Sequence, residues 1–265
     1  MSSRFDFYVP RDSWLHRLDP RVRLWVVGLA GAIGLIYKQI AILAFLLGLA
    51  HLLLLSAQIP VGRLRWLWVR LGPLLGMILI LQPLFAPGPG RELIRLGFLR
   101  LTVSGLLDGV SFALRAAALA FVAAIFFLTT DPAQLVQGLV KLGLPYPWGL
   151  TVGLAIRYLP TTYGLFVTIS EAQQARGWIM DQGGLGRRLR AYLPILVATV
   201  IAALRLSNNL GLALAARGLG YPARRTVLHD IRFTRKDWLV TGLTGLLFGA
   251  LMVVRYGLGF GGHPW

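Results

Sequence analysis

Two short stretches carry the side chains best suited to chemistry in this sequence. Ala172-Gln-Gln-Ala-Arg-Gly177 and Ala213-Leu-Ala-Ala-Arg-Gly218 share the pattern Ala-x-x-Ala-Arg-Gly. Alanines three apart lie on one helical face. An arginine in the last turn complements the negative end of the helix dipole, and the glycine after it supplies the left-handed residue that stops a helix. One such ending is explained as a helix cap. A pair, each closing a long helix on the basic side, suits docking: a bare alanine face and a projecting guanidinium are offered to a partner's acidic groove. The candidate docking residues are therefore Ala175, Arg176, Gly177, Ala216, Arg217 and Gly218, with Ala172 and Ala213 completing the alanine faces. Glu171 either orients the first knob or belongs to a solvated face, and weak surface pairing favours the second. Arg115 and Arg157 lie within apolar runs. Each either bridges membrane helices to the basic section that carries the two endings or snorkels and pairs in the ordinary way, with Asp108 one candidate partner for Arg115.

Other chemistry finds little support. The chain has no cysteine, so it forms no disulfide, thiolate nucleophile or thiolate metal site. His16, His51, His229 and His263 are scattered, and no two have the i, i+4 spacing of a metal site. The acidic residues number ten and form no cluster that would hold a metal or share a proton. No Gly-x-x-x-x-Gly-Lys-Ser/Thr is present, so the chain is not expected to bind nucleotide itself. Neither a catalytic residue, a cofactor nor a metal is expected.

The elements that must position the two endings are membrane helices. Of 265 residues, 56% are hydrophobic and 14% charged, with a mean hydropathy of +0.68, which excludes an ordinary soluble domain. Basic residues outnumber acidic ones 27 to 10, and 24 of them are arginine. Such an excess fits a phosphate-binding groove or the cytoplasmic loops of a membrane protein. Long apolar runs between basic clusters favour the second, with the bilayer and not nucleic acid as the surroundings. Residues 1–23 are polar, lack a signal peptide's apolar core, and are expected to stay cytoplasmic. A hairpin of spans follows at 24–37 and 39–62, then a basic loop with Arg63, Arg65 and Arg70, then a span over 71–90 kinked at Pro83 and ending in Pro87-Gly88-Pro89. Alternation over 91–102 has the period of a strand or hairpin, expected at the outer surface. Ser104 is a candidate cap for a span running to Thr129, and Asp131-Pro132 opens a short amphipathic helix.

Beyond Trp148 the apolar runs shorten, breaking at Arg157 and Arg205. The spacing predicts helices over Pro160–Arg176 and Pro194–Arg217, about 25 and 36 Å long. Between Glu171 and Asp237 stand 11 basic and 4 acidic residues, so this section is expected on the cytoplasmic side against the membrane. Thr234-Arg-Lys-Asp237 has the form of a capping box before a last span over 238–254 and a Gly-rich tail. The eight tryptophans suit interfacial belts. The expected fold class is all-α, a polytopic membrane protein with about five spans and long cytoplasmic helices. It is read as one membrane domain over 1–265, with a cytoplasmic N-terminal segment in 1–23, spans in 24–130, cytoplasmic or interfacial helices in 131–236 and the last span and tail in 237–265.

The paired motifs resemble those of the transmembrane component of energy-coupling factor transporters, the EcfT/CbiQ family. Ser13-Trp-Leu-His-Arg-Leu-Asp-Pro-Arg21, Thr129-Thr-Asp-Pro132, Leu142-Gly-Leu-Pro145 and Arg157-Tyr-Leu-Pro160 occur in the family's order, so the resemblance covers nearly the whole chain. It implies a non-catalytic scaffold in a bacterial or archaeal cell membrane, with the cytoplasmic helices of 131–236 as its coupling helices. Two ABC-type ATPase subunits would dock on it, one at each Ala-Arg-Gly motif, with Arg176 and Arg217 as anchors. A small separate membrane subunit would capture a vitamin or transition-metal ion. Two other readings remain at this level: a polytopic membrane enzyme holding phosphorylated lipid head groups on its basic face, and a stand-alone secondary transporter, which would need ionisable groups in broken midplane helices.

Overall fold

The computed structural model describes residues 8–85, 92–96, 99–178, 184–220 and 233–258, with backbone alone for 92–96, 99–101, 185, 187, 188 and 258. Helices dominate: α1 Pro20–Ile36, α2 Ile40–Ser56, α3 Val61–Phe85, α4 Val103–Thr129, α5 Pro132–Lys141, α6 Tyr146–Ala175, α7 Leu185–Ala216 and α8 Arg235–Leu258. Between α3 and α4 lies one antiparallel hairpin, β1 Glu92–Leu96 and β2 Leu99–Thr102, in which Arg95 pairs with Arg100. The strand-period reading of this segment holds, and the fold is all-α apart from it. The Pro87-Gly88-Pro89 ending and the Gly-rich tail lie outside the described residues, as do His229, His263 and the first seven residues.

Packing separates two compact units. One contains residues 8–144 and α8, and its centre is α4. This helix buries Ala117, Ala118, Phe121, Val122, Ile125 and Leu128 against Leu46, Ala50 and Leu54 of α2, with Leu15 and Leu18 of the N-terminal segment closing the same core. The small residues of α4 let neighbours approach. A Cβ at Gly109 would stand 3.1 Å from Pro83 Cγ, so the buried proline of α3 seats on a glycine. Thr102, rather than Ser104, caps α4: its Oγ1 accepts the Gly105 N–H at 3.1 Å, while Ser104 sits buried in the first turn. Asp131 caps α5 as its sequence predicts, accepting the Ala133 N–H at 2.9 Å with Pro132 at the first helical position.

The second unit is α6 packed on α7. Its interior is thin. Gly149 is the only buried residue of α6 among those described, and Ile195 and Thr199 supply the burial in α7. Leu159, Leu189, Leu193, Val200, Leu204 and Leu212 all remain exposed. A helix pair this sparsely buried needs lipid or protein over its apolar faces.

Helix boundaries differ from the sequence expectation in three places. Arg63, Arg65 and Arg70 lie inside α3, not in a loop before it. Arg157 and Pro160 lie inside one 30-residue α6, and Arg205 and Pro194 inside one 32-residue α7. An arginine ends a hydrophobic run without ending a helix, because its own helix propensity is high. Finally α5, grouped by sequence with the coupling helices, packs on α1: a Cβ at Gly138 would lie 3.3 Å from Pro20 Cβ.

Five helices are long and apolar enough to cross a membrane: α3, α4, α6, α7 and α8. The number agrees with expectation, but the membership does not. The 17-residue α1 and α2, expected as a spanning hairpin, fall short of that length, whereas α6 and α7 reach it. Of the five, α6 is the least apolar, with a mean hydropathy of 1.2 against 2.2 for α4.

Candidate docking site

The ends of α6 and α7 are built alike. Arg176 is the C-cap of α6 at φ −84° and ψ 8°, and Arg217 is the C-cap of α7 at −90° and 12°. Gly177 and Gly218 follow with φ of +84° and +77°, the left-handed conformation in which an L side chain is strained. At α6 the Gly177 N–H reaches the Gln174 carbonyl at 2.9 Å and the Trp178 N–H reaches Gln173 at 3.0 Å. At α7 the Gly218 N–H reaches Ala215 at 2.9 Å and the Leu219 N–H reaches Leu214 at 2.9 Å. Both are Schellman motifs. The glycine reading of the sequence is therefore correct at both ends, with each arginine one position past the last helical residue.

This geometry uses the last carbonyls inward and leaves the caps free. Arg176 and Arg217 are exposed, and neither side chain has an ion-pair or hydrogen-bond partner among the described residues. Ala172, Ala175, Ala213 and Ala216 are exposed as well. Each end thus presents small side chains beside an unpaired guanidinium at the negative pole of its helix, where the cation is favoured. Such a group can accept a carboxylate as a two-pronged partner. Glu171 is exposed and forms no ion pair with Arg176 among the described residues.

Two supporting candidates resolve differently. Arg115 donates Nη2 to the Tyr37 carbonyl at 2.8 Å and lies 5.3 Å over the Phe112 ring. It ties α4 to the end of α1, so its partner is a backbone oxygen and not Asp108, which is half-buried and forms no ion pair among the described residues. Arg157 is exposed on α6 with no partner among the described residues.

The most heavily bonded side chain escaped the sequence reading. Arg23 is 3% exposed. Its Nε and Nη2 donate to the Leu18 carbonyl at 3.0 and 2.7 Å, and Nη2 also donates to the His16 carbonyl at 2.8 Å and to Gln134 Oε1 at 3.3 Å. Its Nη1 donates to the Thr129 carbonyl and to Thr130 Oγ1. Nearby, Asp237 is 1% exposed. Its Oδ2 accepts the Thr234 N–H at 2.8 Å and Oγ1–H at 2.6 Å, completing the capping box foreseen at Thr234, while Oδ1 accepts the Asp19 N–H at 3.0 Å. Asp19 caps α1 and pairs with Arg21 at 3.0 Å. Asp19-Pro20 before an apolar run announced the cap. Nothing local announced a partner 218 positions away.

Comparison with known proteins bears on what these parts belong to. A family model described as CbiQ, cobalt transport protein, matches residues 11–227. The chain belongs to the EcfT/CbiQ family. Among its relatives, the energy-coupling factor transporter transmembrane protein EcfT of Listeria innocua serovar 6a is 30% identical, over 94% of this chain and 96% of its own. Proteins of the same description from Bacillus selenitireducens and Acidaminococcus fermentans are 30% and 31% identical over 94% and 95% of this chain, each covered to 96%. This EcfT/CbiQ-family chain is thus a multi-pass membrane protein of an energy-coupling factor transporter, matched end to end and not through one segment. Both Ala-Arg-Gly ends fall within the matched residues.

Proposed function

We propose that this chain is the scaffold on which two ATPase subunits dock, one at the end of α6 and one at the end of α7, and that it passes their movement to a separate substrate-binding membrane subunit. The observation that carries this reading is the duplicated helix end: the same cap, the same left-handed glycine and an exposed, unpartnered arginine at each. Two equivalent sites on one asymmetric chain suit two equivalent partners. The thin interior of the α6–α7 unit also supports it, because a helix pair with so little buried surface gains most of its stability from what covers it. On this reading α6 and α7 lie along the cytoplasmic face, with the N-terminus on the same side. Arg157, Arg190 and Arg205 on their exposed surface favour that placement, since an arginine at the bilayer centre costs about 2.5–3.5 kcal/mol. The transported substrate is a property of the separate subunit.

The chain tagged and purified from its own host in mild detergent should bring down ATP-binding subunits and a small apolar membrane protein. A chain that purifies alone, or with a lipid-modifying partner set, contradicts the scaffold.

A further inference from the structure

In chain order the described helix before the α6–α7 unit is α5, and the one after it is α8. Both are tied to the same turn. Gln134 of α5 accepts from Arg23, and Gly138 of α5 sits against Pro20 and Arg21. At the start of α8, Asp237 accepts the Asp19 N–H at 3.0 Å, and Phe233 lies 5.5 Å beneath the Arg21 guanidinium. Arg23 also holds the carbonyl of Thr129 at the end of α4 and those of His16 and Leu18 in the N-terminal segment. Displacing a buried guanidinium with this many acceptors is costly, because each lost bond leaves a polar group unsatisfied.

We propose that the Asp19–Arg23 turn is a mechanical anchor, with Arg23 its positioning residue. It clamps α5 and α8, the described helices on either side of the α6–α7 unit in chain order, onto α1 and α4, so that a displacement reaching either helix is delivered to the other membrane helices. The inference rests on the proposed docking of ATPases at α6 and α7.

The cysteine-free chain permits a direct test in the complete transporter complex. A fluorophore on Gly184→Cys reports the α6–α7 unit, and one on Leu243→Cys reports α8, whose Leu243 is exposed. With the ATPases bound, adding ATP should change both signals. Arg23→Lys keeps the charge but, with three donors on one atom, cannot serve six contacts; Gln134→Leu removes only the link to α5. In Arg23→Lys the Gly184 response should persist while the Leu243 response falls by roughly two- to thirty-fold, the range expected when a coupling path is cut. Gln134→Leu should produce a smaller fall in the same direction, and it carries the test should Arg23→Lys not accumulate. A purely structural role would change yield or melting and scale both signals together. A full Leu243 response in both variants, or none in the unaltered complex although Gly184 responds, overturns the anchor. Failure of the unaltered chain to bind ATPases overturns the docking reading beneath it.

Discussion

At Arg176 and Arg217 the account asks for a packing contact as well as a charge. Ala175 and Ala216 precede the two caps and are exposed. Ala175→Leu and Ala216→Leu keep helix propensity nearly unchanged, so a loss of docking reports a clash of about 1–3 kcal/mol and not a melted helix. Pull-downs of the ATPase subunits should show both variants binding less, at low and raised salt, while Gln174→Leu on the neighbouring face does less. Normal binding by both alanine variants would remove the close-approach half of the mechanism. A second residue makes a pH-dependent claim. His16 is half-buried, its Nδ1 accepting from Ser13 Oγ at 2.7 Å and its Nε2–H donating to the Val9 carbonyl at 3.1 Å. Burial holds its pKa below the ordinary value of 6.5, so the folded chain favours the neutral ring. The unfolded chain then binds more protons in acid. The stability from neutral His16 is complete above pH 6.5 and is lost as pH falls through and below that value. Melting of the unaltered protein and of His16→Gln between pH 7.5 and 5, about the window of histidine titration, should show the gap between them closing in acid. A gap that does not vary with pH contradicts the assignment.

At the scale of elements, α3 against α4 is the contact most open to a single change. Gly109→Ala places a methyl 3.1 Å from Pro83 Cγ and 3.2 Å from Cδ, and a proline ring in a helix cannot swing aside. Melting in detergent should show a loss of about 1–3 kcal/mol, the usual cost of overpacking. Stability equal to the unaltered protein would mean that the two helices separate freely. The same scale explains what was legible in the sequence. Caps are local, so Asp131-Pro132, Thr234 with Asp237, and the glycines after Arg176 and Arg217 could be read from neighbouring letters. The alternation of apolar and basic residues over 92–102 likewise foretold β1 and β2. Runs of apolar residues misled where charge was mistaken for an end: Arg157 and Arg205 sit inside α6 and α7, and Arg63 to Arg70 inside α3. Partnerships made only by folding left no local trace. Arg115 was matched by sequence proximity to Asp108, yet it bonds the Tyr37 carbonyl, and the partners of Arg23 come from the N-terminal segment, the end of α4 and α5.

For the whole molecule the scaffold reading puts the α6–α7 connection on the cytoplasmic side of the membrane, and Gly184 marks that connection. Ser3→Cys and Gly184→Cys should both resist an impermeant thiol reagent in intact cells and react after lysis. Labelling in intact cells would make α6 and α7 a spanning hairpin and put the connection outside. The central claim, that the two Ala-Arg-Gly ends hold the ATPases, is tested most directly by removing both guanidiniums. An arginine seated in an acidic groove contributes about 2–5 kcal/mol on truncation, whereas an exposed helix-end arginine contributes under about 1. Pull-down of the ATPase subunits by membrane-inserted Arg176→Ala/Arg217→Ala chain should yield none at normal chain abundance, with each single change giving an intermediate loss. Undiminished ATPase binding by the double variant would reduce both motifs to helix caps and contradict the account.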